Sequence, residues 1–302
     1  MMAVSRRLRQ VRRLALLIGI LSLVVVAVSA YLRLEAAGLG CADWPACYGQ
    51  VLGGTPPALH YGVARLIHRV AASAALLLAC VMVWRCLRPA PLGAVVRPAV
   101  LLLALMLALS VLGFFSADPR RSLVAFLNIV GGLGLVTFSW RVVIAAQAGA
   151  VAAPRGRMVG IGVAILSATV AIGAWLGASY ASVACLELPA CSMGSLDATA
   201  WRALDPLRLA TAPASPGAGD GVLLNLLHRI LALGAVLLLG FGAWSQRRGP
   251  QAAPARAILL LLPLVFALGV ASIASGLGLW LVIMHGVLAA VLLAAVASLL
   301  RR

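Results

Sequence analysis

The stretch GVLLNLLHRILALGAVLLLGFGAWSQRR, Gly221 to Arg248, decides how the rest of the chain is read. A helix that crosses a bilayer needs about 20 mostly apolar residues. Residues 222–244 supply such a run, so the stretch is expected to span a membrane. Two features interrupt the pattern. A His-Arg pair, His228-Arg229, stands inside the apolar run, where a polar group is expensive and marks a functional hypothesis. Arg247 and Arg248 close the run, and arginines at a helix end set its orientation.

The composition agrees. Of 302 residues, 64% are hydrophobic and only 10% charged. Mean hydropathy is +1.10, which excludes an ordinary soluble domain. The length rule predicts eight spans, near 13–32, 65–87, 95–115, 122–144, 158–181, 222–244, 257–277 and 278–300. The fold class is therefore an all-α integral membrane protein. The first apolar run is longer than a signal core, and no clean small-residue cleavage site follows, so it is expected to remain as the first helix. The stretch Gly276 to Trp280 is so short that the last two helices must form a tight hairpin.

The net charge of +17 does not point to nucleic acid, because the arginines cluster at helix ends. SRRLRQVRR precedes helix one. Arg85, Arg88 and Arg97 separate helices two and three. Arg141, Arg155 and Arg157 follow helix four, Arg256 joins Arg247 and Arg248 after helix six, and Arg301 and Arg302 end the sequence. All fall on one side if both termini are cytoplasmic; Arg120 and Arg121 dissent. In this orientation GLGCADWPACYGQ (38–50) and ACLELPACSMG (184–194) are outer loops. The outer side of a bacterial inner membrane is oxidising. The repeated Cys-x5-Cys spacing there implies disulfides Cys41–Cys47 and Cys185–Cys191. Neither loop supplies the four ligands of a structural zinc site. Cys80 and Cys86, in or near helix two, are expected to be buried, unpaired thiols.

The chain also reads as a duplication. Each half has a helix, an outer loop with Cys-x5-Cys, and three more helices. LIHRV (66–70) in helix two answers LLHRI (226–230) in helix six. The expected organisation is a four-helix half at 1–146, a cytoplasmic linker at 147–157 and a second four-helix half at 158–302. An even helix count gives the halves the same orientation, as parallel repeats.

There are four histidines: His60, His68, His228 and His285. His228 and His285 each lie six to eight residues inside a helix that descends from the outer face. At 1.5 Å per residue both are about 10 Å deep. Two imidazoles at one depth in a bundle can ligate one haem iron from opposite sides, among the Leu, Ile, Val and Ala that suit a porphyrin. Arg229 is a candidate for a haem propionate. The alternative is that each histidine hydrogen-bonds a neighbouring helix. His60 reads as an ordinary loop residue. In the first half His68 matches His228, but Asn128, in FLNIVGG, stands where His285 would be matched.

RLEAAGLGCADWPACYGQ (33–50), the two His-Arg helices, the second cysteine pair and the helix-eight histidine together resemble the haem A synthase family of cytochrome oxidase assembly proteins. The resemblance extends over nearly the whole chain. It implies a membrane oxidoreductase that converts the C8 methyl of haem O to the formyl of haem A. It implies a haem b cofactor in the C-terminal half on His228 and His285, and substrate haem in the N-terminal half, with His68 as one ligand. It also implies haem O synthase and oxidase assembly factors as partners, and leaves homo-oligomerisation open. The family has a functional Glu in a Glu-x-x-His-Arg motif. Here the motif reads Arg65-Leu66-Ile67-His68-Arg69, and the second substrate-side histidine is Asn128. A guanidinium cannot replace a carboxylate that moves protons. Arg65 and Arg69 become propionate-binding candidates instead, and the catalytic residue is left unassigned. No acid lies inside a predicted helix; Glu35, Asp43, Asp118, Glu187, Asp197, Asp205 and Asp220 fall in or near outer loops. Two other readings follow. One is a non-catalytic, haem b-binding relative in oxidase assembly or electron transfer. The other is a transporter without haem, disfavoured by the matched histidines and the lack of an intramembrane acid.

Overall fold

The structure is a computed structural model that describes residues 2–39, 41, 43–53, 61–147, 156–189, 191, 198–213 and 216–300. His60, Asp197, Arg155, Arg301, Arg302 and most of the expected linker lie outside these residues.

Eight helices are long and apolar enough to cross a membrane. They are α1 (Met2–Ala36), α2 (Tyr61–Leu87), α3 (Val96–Gly113), α4 (Ser122–Ala145), α5 (Arg157–Ala178), α6 (Gly219–Gln246), α7 (Ala252–Ala274) and α8 (Leu279–Leu299). No strand occurs among the described residues. The chain is a multi-pass membrane protein. Large apolar side chains such as Leu77, Val81, Trp84, Leu237, Phe241 and Leu260 remain exposed. In a bilayer that is the expected outer surface, because lipid tails are as apolar as leucine.

Three expectations need correction. SRRLRQVRR does not precede the first helix but forms its start. Arginine is a good helix former, and Arg7 docks this turn by donating to the carbonyls of Arg85 and Ala90. Glu35 and Asp220 lie within α1 and α6, but only in their end turns, because the helices outrun their apolar segments. Cys86 is buried as expected, whereas Cys80 is exposed on the outer face of α2.

One apolar cluster draws on α1 to α4, including Ile18, Ala79, Met82, Leu102 and Val142. A second draws on α5 to α8, including Leu166, Leu239, Ile258, Leu292 and Val296. Within the second, α5 and α6 approach closely: a Cβ at Gly162 would lie 2.8 Å from the Leu239 backbone. Small residues permit such contact where no hydrophobic force drives helices together. Between the clusters runs a seam of Leu133, Val136, Ala290 and Ala294, joining α4 to α8. At its far end the Trp140 indole donates to Ser298 Oγ at 2.7 Å. Arg141 donates to the carbonyls of Ala297 and Leu300 at the end of α8, adding to the Leu300 amide that already caps Ala297.

The opposite end carries both disulfides, Cys41–Cys47 and Cys185–Cys191, with Cα separations of 6.7 and 5.4 Å. Gly38 ends α1 at φ +98°, and the Leu39 amide returns to the Leu34 carbonyl. That is the glycine-terminated helix end in which the chain reverses. A Cβ at Gly38 would sit 2.6 Å from the Cys47 carbonyl, so the first disulfide loop folds directly onto the turn. Tyr48 of that loop meets Tyr180 beyond α5 at 5.9 Å, in a cluster with Leu34, Leu52, Val183 and Leu277. Burial pushes both phenols above their usual range and keeps them neutral. Asp118, between α3 and α4, pairs with Arg120 at 3.1 Å and Arg121 at 3.5 Å. The Arg120 hydrogen bond lowers its pKa, and the carboxylate offsets one of the two positive charges that dissented from the charge pattern. The α7–α8 hairpin is as tight as expected, with Gly276 at φ +66°.

Candidate functional site

α6 begins at Gly219 and α8 at Leu279, so His228 and His285 each fall a few turns in from the disulfide end. The structure brings them together. Their ring centroids are 6.3 Å apart, with planes at 78°. Both side chains are partly buried. His228 Nδ1 lies 3.0 Å from the Thr169 carbonyl of α5, and His285 Nδ1 lies 3.0 Å from the Val265 carbonyl of α7. A carbonyl can only accept, so each Nδ1 carries the proton and each Nε2 is left unprotonated, the form of imidazole that can coordinate a metal. Hydrogen bonding of the second ring nitrogen is how metal-bound imidazoles are oriented.

The arrangement fits haem. Metal–imidazole bonds are about 2 Å long, so two rings on one iron have centres about 6 Å apart. No cluster of three or more His, Cys, Asp or Glu that could hold a bare ion occurs among the described residues. Two histidines suffice for haem, because the porphyrin supplies the equatorial nitrogens itself.

Arg229 is engaged elsewhere. Its guanidinium donates to the carbonyls of Cys185, Glu187 and Pro189, gripping the second disulfide loop. Asn225, one turn before His228, is buried and ties α6 to the Ala181 carbonyl at 3.2 Å.

The first half differs. His68 on α2 is half-buried, with Arg65 and Arg69 exposed beside it. Asn128 is the seventh residue of α4, as His285 is of α8. It does not face a backbone carbonyl but donates to Ser116 Oγ at 2.8 Å. Gly113-x-x-Ser116 at the end of α3 repeats Gly269-x-x-Ser272 in α7, and each serine donates to the carbonyl four residues back. A Cβ at Gly113 would meet nothing within 4 Å. Sequence reasoning missed the anchoring carbonyls of Thr169 and Val265, because a backbone acceptor has no side-chain signature.

Fold and histidine pair together define a multi-pass helical membrane protein with a haem-compatible site between α5–α6 and α7–α8. The chain belongs to the COX15-CtaA family of cytochrome oxidase assembly proteins, whose pattern it matches over residues 12–62 and 123–297, more than half its length. It is also similar to the heme A synthase of Shewanella oneidensis, at 25% identity over 309 residues and 91% of each chain. The family match breaks between 62 and 123, a gap that holds Arg65, His68 and all of α3.

Proposed function

We propose that this chain is a haem A synthase-type oxidoreductase of a bacterial inner membrane, with haem b held by His228 and His285. The observation that carries the reading is the imidazole pair, 6.3 Å between ring centres with both Nδ1 atoms anchored on backbone. Family membership and the heme A synthase relative support the wider role in cytochrome oxidase biogenesis. On this reading residues 158–302 are the cofactor half, 1–146 the half that receives haem O, and 147–157 a cytoplasmic linker. The arginine pattern supports a cytoplasmic position for both termini. Haem O synthase and oxidase assembly factors are the expected partners.

The bound haem b would supply one-electron redox chemistry. The protein's own part is to fix both imidazoles, keep their Nε2 atoms unprotonated, and surround them with apolar helix faces that exclude water. In the first half, His68 would offer a single imidazole to substrate haem. Arg65 and Arg69, exposed beside His68, would pair with that haem's propionates. Asn128 is a poor iron ligand but can hold a water or a ligand oxygen.

A second reading is favoured by one group of observations. The Glu position is Arg65, where the family match is interrupted, and the second histidine is Asn128, inside the matched segment 123–297. A haem b-binding relative that assists assembly or passes electrons without making haem A would look like this. Expression in cells that make haem O but lack haem A synthase separates the two. Haem A in the extract establishes catalysis. Haem b in the purified protein with no haem A establishes the relative.

A further inference from the structure

The two anchored imidazoles share a feature that the haem reading does not require. The carbonyl that receives His228 Nδ1 belongs to Thr169, and four residues later stands Gly173. The carbonyl that receives His285 Nδ1 belongs to Val265, and four residues later stands Gly269. In an α-helix the amide of residue i+4 donates to the carbonyl of residue i. Each imidazole therefore shares a carbonyl with the amide of a glycine. A Cβ at Gly173 would lie 2.7 Å from His228 Cε1 and 2.9 Å from Nδ1. A Cβ at Gly269 would lie 3.1 Å from His285 Cε1 and 3.4 Å from Nδ1. The ring occupies the place where any other residue would carry a side chain. Neither glycine has positive φ, so backbone freedom is not the reason for it. The Thr169 hydroxyl turns back to the Ile165 carbonyl and leaves the acceptor open.

We infer that Gly173 and Gly269 are positioning residues. Each strips one helix turn bare so that an imidazole can lie on it, dock Nδ1 on the shared carbonyl, and present Nε2 at a fixed rotation. The glycines act through the histidines. This inference deepens the proposed haem b reading and rests on it for its link to iron, but the packing itself can be read in protein without haem. It also ranks the two positions. The contact at Gly173 is the tighter, so His228 depends on its glycine more than His285 does.

The alternative is that these glycines merely bring helices together, as Gly162 does against Leu239. Gly173→Ala, Gly269→Ala and Gly162→Ala therefore form one series, measured on the full chain in detergent. Haem per chain and the electron paramagnetic resonance of the oxidised protein are the readouts, because ring rotation changes the spectrum while general loosening does not. Gly173→Ala should weaken haem retention by about 10- to 100-fold, the range for outer-shell changes at metal sites. Gly269→Ala should shift the spectrum with a smaller loss, and Gly162→Ala should leave the spectrum of whatever haem it retains unchanged. The same haem content and spectrum in Gly173→Ala as in the parent would overturn the inference. A second arm needs no haem. In a His228→Ala background the obstruction is gone, so adding Gly173→Ala should leave the thermal midpoint of the haem-free protein unchanged or raise it, while in the parent the same change lowers it. Equal lowering in both backgrounds would show a packing glycine and overturn the inference. If the parent holds no haem, the haem reading fails, and the second arm still decides whether the glycines position the rings.

Discussion

Loss of the Cys185–Cys191 bridge should weaken the protein by an amount that depends on Arg229. The bridged cysteines are 6 positions apart. Chain entropy for so short a loop gives the bridge about 2 kcal/mol. Arg229 holds the same loop from α6, donating to the carbonyls of Cys185 at 3.0 Å, Glu187 at 2.8 Å and Pro189 at 3.3 Å. Only the Cys185 bond is partly buried; the other two are exposed. Assigning about 1 kcal/mol to the former and a few tenths to each of the latter gives about 1.5 kcal/mol for the grip. The bridge keeps the three carbonyls converging. Without it, Arg229 must order the loop itself and should lose about half of that contribution. A double-mutant cycle between Cys185→Ser/Cys191→Ser and Arg229→Gln should thus show a coupling of about 0.7 kcal/mol. Reversible unfolding in mixed detergent–SDS micelles, followed by tryptophan fluorescence, measures it. Additivity within about 0.3 kcal/mol would mean that loop and arginine act independently, and the reasoning would be wrong.

His228→Ala and His285→Ala should each abolish the six-coordinate, low-spin spectrum of the purified protein; an unchanged reduced spectrum in both removes the ligand assignment. Mass spectrometry of non-reduced peptides should find both Cys41–Cys47 and Cys185–Cys191, and free thiols at all four positions in protein from an oxidising compartment would count against them. Arg65→Glu combined with Asn128→His should raise haem occupancy and haem A yield, since Gly113 leaves open space on α3 near Ser116, the present partner of Asn128. If the unmodified chain already makes haem A at a rate the double variant does not improve, the first-half site works without that Glu and that His. Ser298→Ala should cost about 0.6 to 1.7 kcal/mol by leaving the Trp140 indole without its acceptor, read by the same SDS titration.

The helices and the histidine pair were legible because both rest on length and cost. A run of about 20 apolar residues has few alternatives in water, and a histidine within it needs a reason. The disulfides were legible from the repeated Cys-x5-Cys spacing. What lay beyond reach depends on helix rotation. Hydropathy could not tell Cys80, exposed, from Cys86, buried, because the lipid-facing and core-facing sides of α2 are equally apolar. Arg229 follows a candidate ligand, yet its direction depends on where a distant loop settles. Gly173 and Gly269 are two glycines among 30, and only the register of α5 on α6 and α7 on α8 sets them apart. The helical start of α1 was hidden by its charge, which reads as a flank until Arg7 is seen to cap the α2–α3 connection.

The seam bonds also bear on the order of synthesis. Trp140 and Arg141 of α4 find their partners on α8, 158 and 156 to 159 positions further along. A ribosome releases α4 well before α8. During that interval the Trp140 indole lacks its Ser298 acceptor, and Arg141 lacks the Ala297 and Leu300 carbonyls. Insertion of α8 relieves both at once and supplies the wall against which Leu133 and Val136 pack. The first four helices are therefore completed by the eighth, and a nascent chain halted before α8 presents the Trp140 indole without its Ser298 acceptor to the machinery that clears unfinished membrane proteins.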